Sequence, residues 1–344
     1  MSACVRAGFV GAVAAALLSI SPTIASAATF TNHAVAGIQY RASCLTAQVC
    51  VVAGYSERSI GDVVAVRNGV PGHVSIVAVT QGIDDVSCPN ATGCIALERT
   101  GNDVGTGFVS INSAGVVTHA VKVATPAGVT LGRISCTSLK NCEVAGSDFF
   151  TSPPAIEVGT WNGTKLVLHR VSTVPKATAT IVEGLKCVGA TCLVVGYVNH
   201  GSSNVGFALS VVGGTKFKLR TVGNDSLYGV SCATQVRCFA VGFNAAGGVI
   251  VSLTGGAATS SVSTKPDLYG IACVGFACTA VGEELPPPPS TDADWGAVLS
   301  VIGGSVTSTQ LVPQSLGYEG VARVGGVFTA VGAGHGLTSE ITAG

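Results

Sequence analysis

Two carboxylates, Asp84 and Glu98, stand where the sequence itself sets up a pairing. Asp84 lies four residues before Cys88, and Glu98 lies four residues after Cys94. In an antiparallel hairpin pinned at these cysteines the two positions face each other, with the carboxylates about 5 Å apart. Facing carboxylates repel unless an arginine, a proton or a cation intervenes. The pair therefore suits an arginine-balanced polar patch, a cation or polar-ligand site, or the two acids of a retaining glycoside hydrolase. Asp85 and Arg99 adjoin it, and Arg41 and Arg133 hold the place of Asp85 in the neighbouring repeats. A slip of one residue in register would point the two acids apart.

Other chemistry is sparse. The chain has no H-E-x-x-H or G-x-S-x-G motif and no EF-hand calcium loop. Twelve of the thirteen cysteines form local pairs: Cys44/Cys50, Cys88/Cys94, Cys136/Cys142, Cys187/Cys192, Cys232/Cys238 and Cys273/Cys278. Structural zinc sites usually bring C-x2-C pairs together in twos, whereas these are C-x5-C or C-x4-C and fall in separate repeats. The expected state is six disulfides, each contributing about 2–2.5 kcal/mol in the chain-entropy model. No catalytic residue, metal or cofactor is assigned.

The elements that carry these residues repeat. The plainest copy reads Tyr228-Gly-Val-Ser-Cys232-Ala-Thr-Gln-Val-Arg-Cys238-Phe-Ala-Val-Gly242, and variants recur at intervals of 41 to 51 residues. A seventh copy, Glu319 to Gly332, has Arg323 and Phe328 at the cysteine positions. A period near 45 without helical patterning indicates a four-stranded unit repeated around an axis. In the fifth unit the strands read as Leu227–Cys232, Cys238–Phe243, Gly248–Leu253 and Ser260–Lys265. Residues near 29–37 resemble the outer strand that the seventh unit lacks. The expectation is an all-β, seven-bladed β-propeller of four-stranded antiparallel blades, closed by the N-terminal strand pairing with the last blade.

Four residues before the first cysteine stand Tyr40, Asp84, Gly132, Glu183, Tyr228, Tyr269 and, in the seventh unit, Glu319. Four after the second stands glycine in every unit except the second, where Glu98 takes the place. A large side chain facing a bare glycine backbone explains the pattern if the two positions are opposite each other. The first set would then line a shallow mouth.

Hydrophobic residues make up 47% of the chain and charged residues 10%, yet no apolar run beyond residue 27 is long enough to span a membrane. Formal net charge is zero, which argues against nucleic-acid binding. Residues 1–27 read as an export signal: Arg6, the apolar stretch Gly8–Ile20 and the small-residue site Ala25-Ser26-Ala27. The expected mature chain is one domain, 28–344, secreted or associated with the cell envelope, with no transmembrane span.

The phrase G-V-S-C-x5-C-x-A-V-G, with Trp161-Asn162-Gly163-Thr164 as one full W-N-G element, resembles a family of secreted bacterial repeats. The resemblance covers residues 29–344. It implies a β-propeller and an export route, and no mechanism. The seventh unit and the scarcity of tryptophan depart from the pattern, and the S-x-D-x-G-x-T-W box of sialidase-like propellers is absent. Three functions stay open. The first is a binding or interaction module with a carbohydrate or peptide ligand at the rim. The second is a hydrolase or lyase using the Asp84/Glu98 site. The third is a structural surface scaffold. Enzymatic activity is the less favoured reading. Candidate ligand-binding residues are Tyr40, Arg41, Asp84, Asp85, Glu98, Arg99, Arg133, Glu183, Tyr228, Tyr269 and Glu319. The twelve paired cysteines stand beside them as the assigned bridges.

Overall fold

Short runs rich in valine and alanine, broken by glycine turns, form twenty-eight strands among the described residues. The computed structural model describes residues 31–56, 60–77, 82–99, 106–172, 176–285, 295–313, 315, 317–333 and 338–343. The export signal expected at 1–27 and the proline run at 286–289 lie outside them. No helix among the described residues is long and apolar enough to cross a membrane.

The strands form seven antiparallel sheets of four. The innermost strands are Ile38–Thr46, Ile83–Asn90, Val129–Ser138, Ala179–Val188, Ser226–Cys232, Asp267–Val274 and Tyr318–Val324. Each touches the next in this order, and the last touches the first, so they enclose a central channel. This is a propeller, and within each sheet the four strands are named A to D from the channel outward.

The expected count of seven blades needs correction. Six blades are true copies: each is one continuous run A-B-C-D with a disulfide joining strands A and B. The bridges are Cys44–Cys50, Cys88–Cys94, Cys136–Cys142, Cys187–Cys192, Cys232–Cys238 and Cys273–Cys278. The remaining sheet is a closing sheet of another kind. Its strands Tyr318–Val324, Val327–Ala333 and Thr338–Ala343 are joined on the outer edge by Thr31–Ala36 from the far end of the chain. It has Arg323 opposite Phe328 where the six blades have cystine.

The core lies between sheets. Strand B of each blade is buried on both faces, and Val51, Val52 and Ala53 have no exposure at all. Between the second and third blades Phe108 stacks on Trp161, with ring centroids 4.1 Å apart. The W-N-G element thus supplies a core tryptophan and a turn, in which Asn162 Oδ1 accepts from the N–H of Thr164 and Lys165. A row of serines ties the inner strands together. Ser43, Ser87, Ser135 and Ser231 each accept a hydrogen bond, 2.9–3.0 Å long, from the N–H of the next blade's first cysteine. Lys186, Ala272 and Ala322 occupy this position elsewhere in the ring and offer no hydroxyl to accept it.

Candidate functional site

Every inner strand carries a β-bulge at one repeat position. The pairing with strand B skips a residue between Gln39 and Arg41, Ile83 and Asp85, Leu131 and Arg133, Val182 and Gly184. It does so again between Leu227 and Gly229, Leu268 and Gly270, and Tyr318 and Gly320. The skipped residues are Tyr40, Asp84, Gly132, Glu183, Tyr228, Tyr269 and Glu319. A bulged residue has no place in the ladder, so its side chain is re-aimed. Here six of the seven, all but Gly132, line a cavity of about 500 Å³ at one end of the channel.

This bulge corrects the expected register. Glu98 faces Ile83, and Asp84 is the skipped residue, so the two acids are not a cross-strand pair. Glu98 is 1% exposed, takes no part in the mouth, and packs against Gly107, its partner on strand C. Its Oε1 atom has no hydrogen-bond partner, and burial pushes its carboxyl up. The geometry proposed for glycoside chemistry is therefore lost. Arg99 ends the same strand, opposite Thr106, and its side chain lies outside the described residues.

The glycine rule also has another cause. A Cβ at Gly54, Gly146, Gly196, Gly242, Gly282 or Gly332 would sit 1.8–2.0 Å from a carbonyl oxygen of strand A or, for Gly332, of Gly317 just before it. The bulge brings that carbonyl over strand B, so glycine is required for close approach and not for cover.

The cysteines form the assigned bridges, and they divide by strand. Cys44, Cys88 and Cys273 stand on strand A and line the channel. Their partners Cys50, Cys94 and Cys278, and Cys142 of the third blade, stand on strand B between neighbouring sheets. These four are 0–4% exposed and line neither the mouth nor the channel. They belong to the core: Cys50 packs with Val52 and Val331, Cys142 with Val144 and Trp161, and Cys278 with Ala280 and Leu299. Their part is to staple the blade, and no ligand at the mouth can touch them.

The mouth has two unlike walls. Tyr228 stacks on Phe243 at 5.0 Å and meets Tyr269 edge-on at 5.4 Å, with Tyr197 5.8 Å away. Tyr269 donates a 2.5 Å hydrogen bond to Glu283 Oε1. Burial raises the phenols of Tyr228 and Tyr269, helped by Tyr197 and Glu283 respectively, so both remain donors. Tyr40 and Tyr55 form a smaller edge-on pair at 5.7 Å.

The other wall is ionic. Arg133 forms a salt bridge with Glu183 and donates through Nε to the Glu183 carbonyl at 2.5 Å. Asp85 accepts from the N–H groups of Val86 and Ile134, both at 2.9 Å. Burial pushes the Asp85 carboxyl up, while Arg41, Arg133 and those N–H groups pull it down. Arg41 donates to the Tyr40 carbonyl at 2.8 Å. Burial and Arg133 push Arg41 down, and Asp85, Glu183 and Glu319 hold it up. Below the mouth the channel encloses about 320 Å³ and is lined by Asp85, Lys186 and Arg323 among others. Lys186 and Glu319 reach water inside it, yet protein surrounds them, which lowers Lys186 and raises Glu319.

Eight of the sequence-assigned residues thus meet at the mouth: Tyr40, Arg41, Asp84, Arg133, Glu183, Tyr228, Tyr269 and Glu319. Asp85 sits just below them, lining the channel with Arg41 and Arg133. Sequence reasoning missed Tyr55, Tyr197, Phe243 and Glu283. All four stand one residue past the glycine position on strand B, a place that a column-by-column comparison of the repeats would have exposed. Among the described residues no cluster of three or more His, Cys, Asp or Glu side chains could hold a metal ion.

No protein-family model matches the chain, so the repeat family suggested by its motifs is not confirmed. No curated protein matches either. Solved structures do. One, "YCF48 bound to D1 peptide", superposes with TM-score 0.56 at 10% identity, covering 90% of this chain and 94% of that one. A second, the "Dos1 propeller", gives 0.54 at 7% identity, covering 91% and 94%. A third, "Kuenenia stuttgartiensis Hydrazine Synthase", gives 0.58 at 12% identity, covering 85% and 92%. At these identities the likeness establishes the propeller fold alone.

Proposed function

We propose that the protein is an extracellular interaction module that binds a peptide segment across the channel mouth. The carrying observation is the ring of bulge residues, which presents an aromatic wall and an ionic wall around one cavity. An extended peptide offers both chemistries at side-chain spacing, and tyrosine gives large contact area at low entropic cost. The superposed YCF48 structure, bound to D1 peptide, supports this choice of ligand. Six disulfides suit an oxidising compartment, which supports an extracellular location.

Gly132 provides a clean test. It holds the bulge position of the third blade, and a Cβ there meets nothing within 4 Å. Gly132→Trp is expected to send an indole toward the mouth, as the other bulge positions send their side chains, from a Cβ position with open space around it. The oxidised chain is screened against peptide and glycan arrays, and hits are titrated against the wild type, Gly132→Trp and Tyr228→Ala/Tyr269→Ala. Peptide hits weakened more than tenfold by both variants support the reading. Glycan hits alone, or peptide hits that neither variant weakens, overturn it.

A further inference from the structure

On the face of the ring opposite the mouth, one cleft between blades differs from its neighbours. The residue after the second cysteine of each repeat is Val51, Ile95, Glu143, Leu193, Phe239, Thr279 or Thr329. Only the third blade puts a carboxyl there. Glu143 is 8% exposed, its Oε2 accepts from the Thr160 hydroxyl at 3.1 Å, and its Oε1 has no partner. It borders a cavity of about 230 Å³ between the third and fourth blades, shared with Thr137, Asn141, Thr160 and the Cys187/Cys192 bridge. The turn Gly213-Gly214 roofs the cavity, and a Cβ at Gly214 would stand 2.9 Å from the Thr160 hydroxyl. A buried carboxylate with an unmet acceptor requires a donor, and a cationic donor gives the strongest hydrogen bond.

The ring contains its own precedent. Between the sixth blade and the closing sheet, Thr279 holds the position equivalent to Glu143. It accepts a 3.2 Å hydrogen bond from Arg323 Nη1. Arg323 stands where the fourth blade has Cys187. In that cleft the chain supplies its own cation. In the cleft of Glu143 the cation position is occupied by cystine, and the acceptor has become a carboxyl.

We propose that the Glu143 cleft is a binding site for a small organic cation head, an alkylammonium or a guanidinium. The head hydrogen-bonds Glu143 Oε1, with the Thr160 hydroxyl beside it, and its alkyl stem lies along the Cys187/Cys192 bridge. A lysine or arginine side chain of a partner and a free small amine carry the same head. The cleft lies on the face away from the mouth, so its test stands apart from that of the peptide reading.

The experiment follows the Glu143 carboxyl by carbon-13 NMR in the full oxidised chain, with Glu143→Gln identifying the signal. The probes are n-butylammonium and methylguanidinium, with n-butanol and potassium chloride as controls. Burial raises this carboxyl to about 7, against the opposing Thr160 hydroxyl, so its titration falls in a convenient range. A cation that binds only the ionised form, present at about ten times its dissociation constant, lowers the midpoint by about one pH unit. Thermal stability above neutral pH should rise with the same probes in the wild type and stay flat in Glu143→Gln. An N-acetyl-lysine-methylamide arm that binds as tightly as butylammonium favours a partner side chain, and exclusion of that larger probe favours a free amine. An unmoved midpoint overturns the proposal. So does an equal shift from butanol or potassium chloride, or stabilisation that persists in Glu143→Gln.

Discussion

Gly242→Ala adds one methyl group to a strand interior, a change usually worth less than about 1 kcal/mol and often favourable. Here the expected outcome is the reverse. The new Cβ would lie 1.9 Å from the Ser226 carbonyl oxygen, where contacts under 3.0 Å essentially never occur. The obstacle is backbone, 2.8 Å from the Ser226 carbonyl carbon and 2.9 Å from Leu227 Cα as well, so no rotamer change can yield. Strand A must move outward by more than about 1 Å, which breaks the bulge register that aims Tyr228 into the mouth. Overpacking with backbone displacement costs about 1–3 kcal/mol, and a buried main-chain collision falls at the upper end. Urea unfolding of the oxidised chain should therefore show a loss of about 3 kcal/mol at unchanged m-value. Gly132→Ala, with nothing within 4 Å of its Cβ, is the matched control and should change stability by less than about 0.5 kcal/mol. If Gly242→Ala matches that control, the close approach of strands A and B is wrong, and with it the placement of the mouth residues.

Three further outcomes follow from the packing. Glu143 has its folded-state pKa raised from 4.5 to about 7, so the native state binds the proton more tightly than the unfolded chain. Its contribution is full below the unfolded value and disappears as pH rises to about 7; Glu143→Gln should remove that decline and be more stable by about 1–3 kcal/mol at alkaline pH, read from unfolding curves across pH. Ser231→Ala deletes the acceptor for the Cys273 N–H and should cost about 1–2 kcal/mol, with faster hydrogen exchange at Cys273. Arg133→Met removes one of the two cations that hold the Asp85 carboxyl down, so the Asp85 titration should move upward by NMR.

The repeat, the cysteine pairing and the four strands per blade were legible because each rests on local spacing. The fifth blade's strands, Ser226–Cys232, Arg237–Asn244, Gly247–Thr254 and Ala257–Thr264, lie close to their sequence assignments. The ring of mouth residues was legible for a different reason: Tyr40, Tyr228 and Tyr269 stand out in type from the small residues around them. Register was not legible. A hairpin counted outward from its disulfide gives Asp84 facing Glu98, and the bulge between Ile83 and Asp85 removes that match. The signal was present in the near-uniform glycine on strand B, which marks a backbone crossing, but it reads equally well as a partner for a large side chain. The cleft at Glu143 needed the turn of the next blade, Gly213-Gly214, to acquire meaning, and nothing local to Glu143 announces that contact.

The serines that tie each inner strand to the next do not run all the way round. Lys186, Ala272 and Ala322 interrupt them, and two of these gaps lie on either side of the sheet that lacks a cystine. The wheel consequently has a built-in seam: a sheet without a cystine, flanked on both sides by joints without the serine tie. Heat or tension should part it there first, releasing Thr31–Ala36 and the three strands beside it while the six cross-linked blades still stand as an open arc.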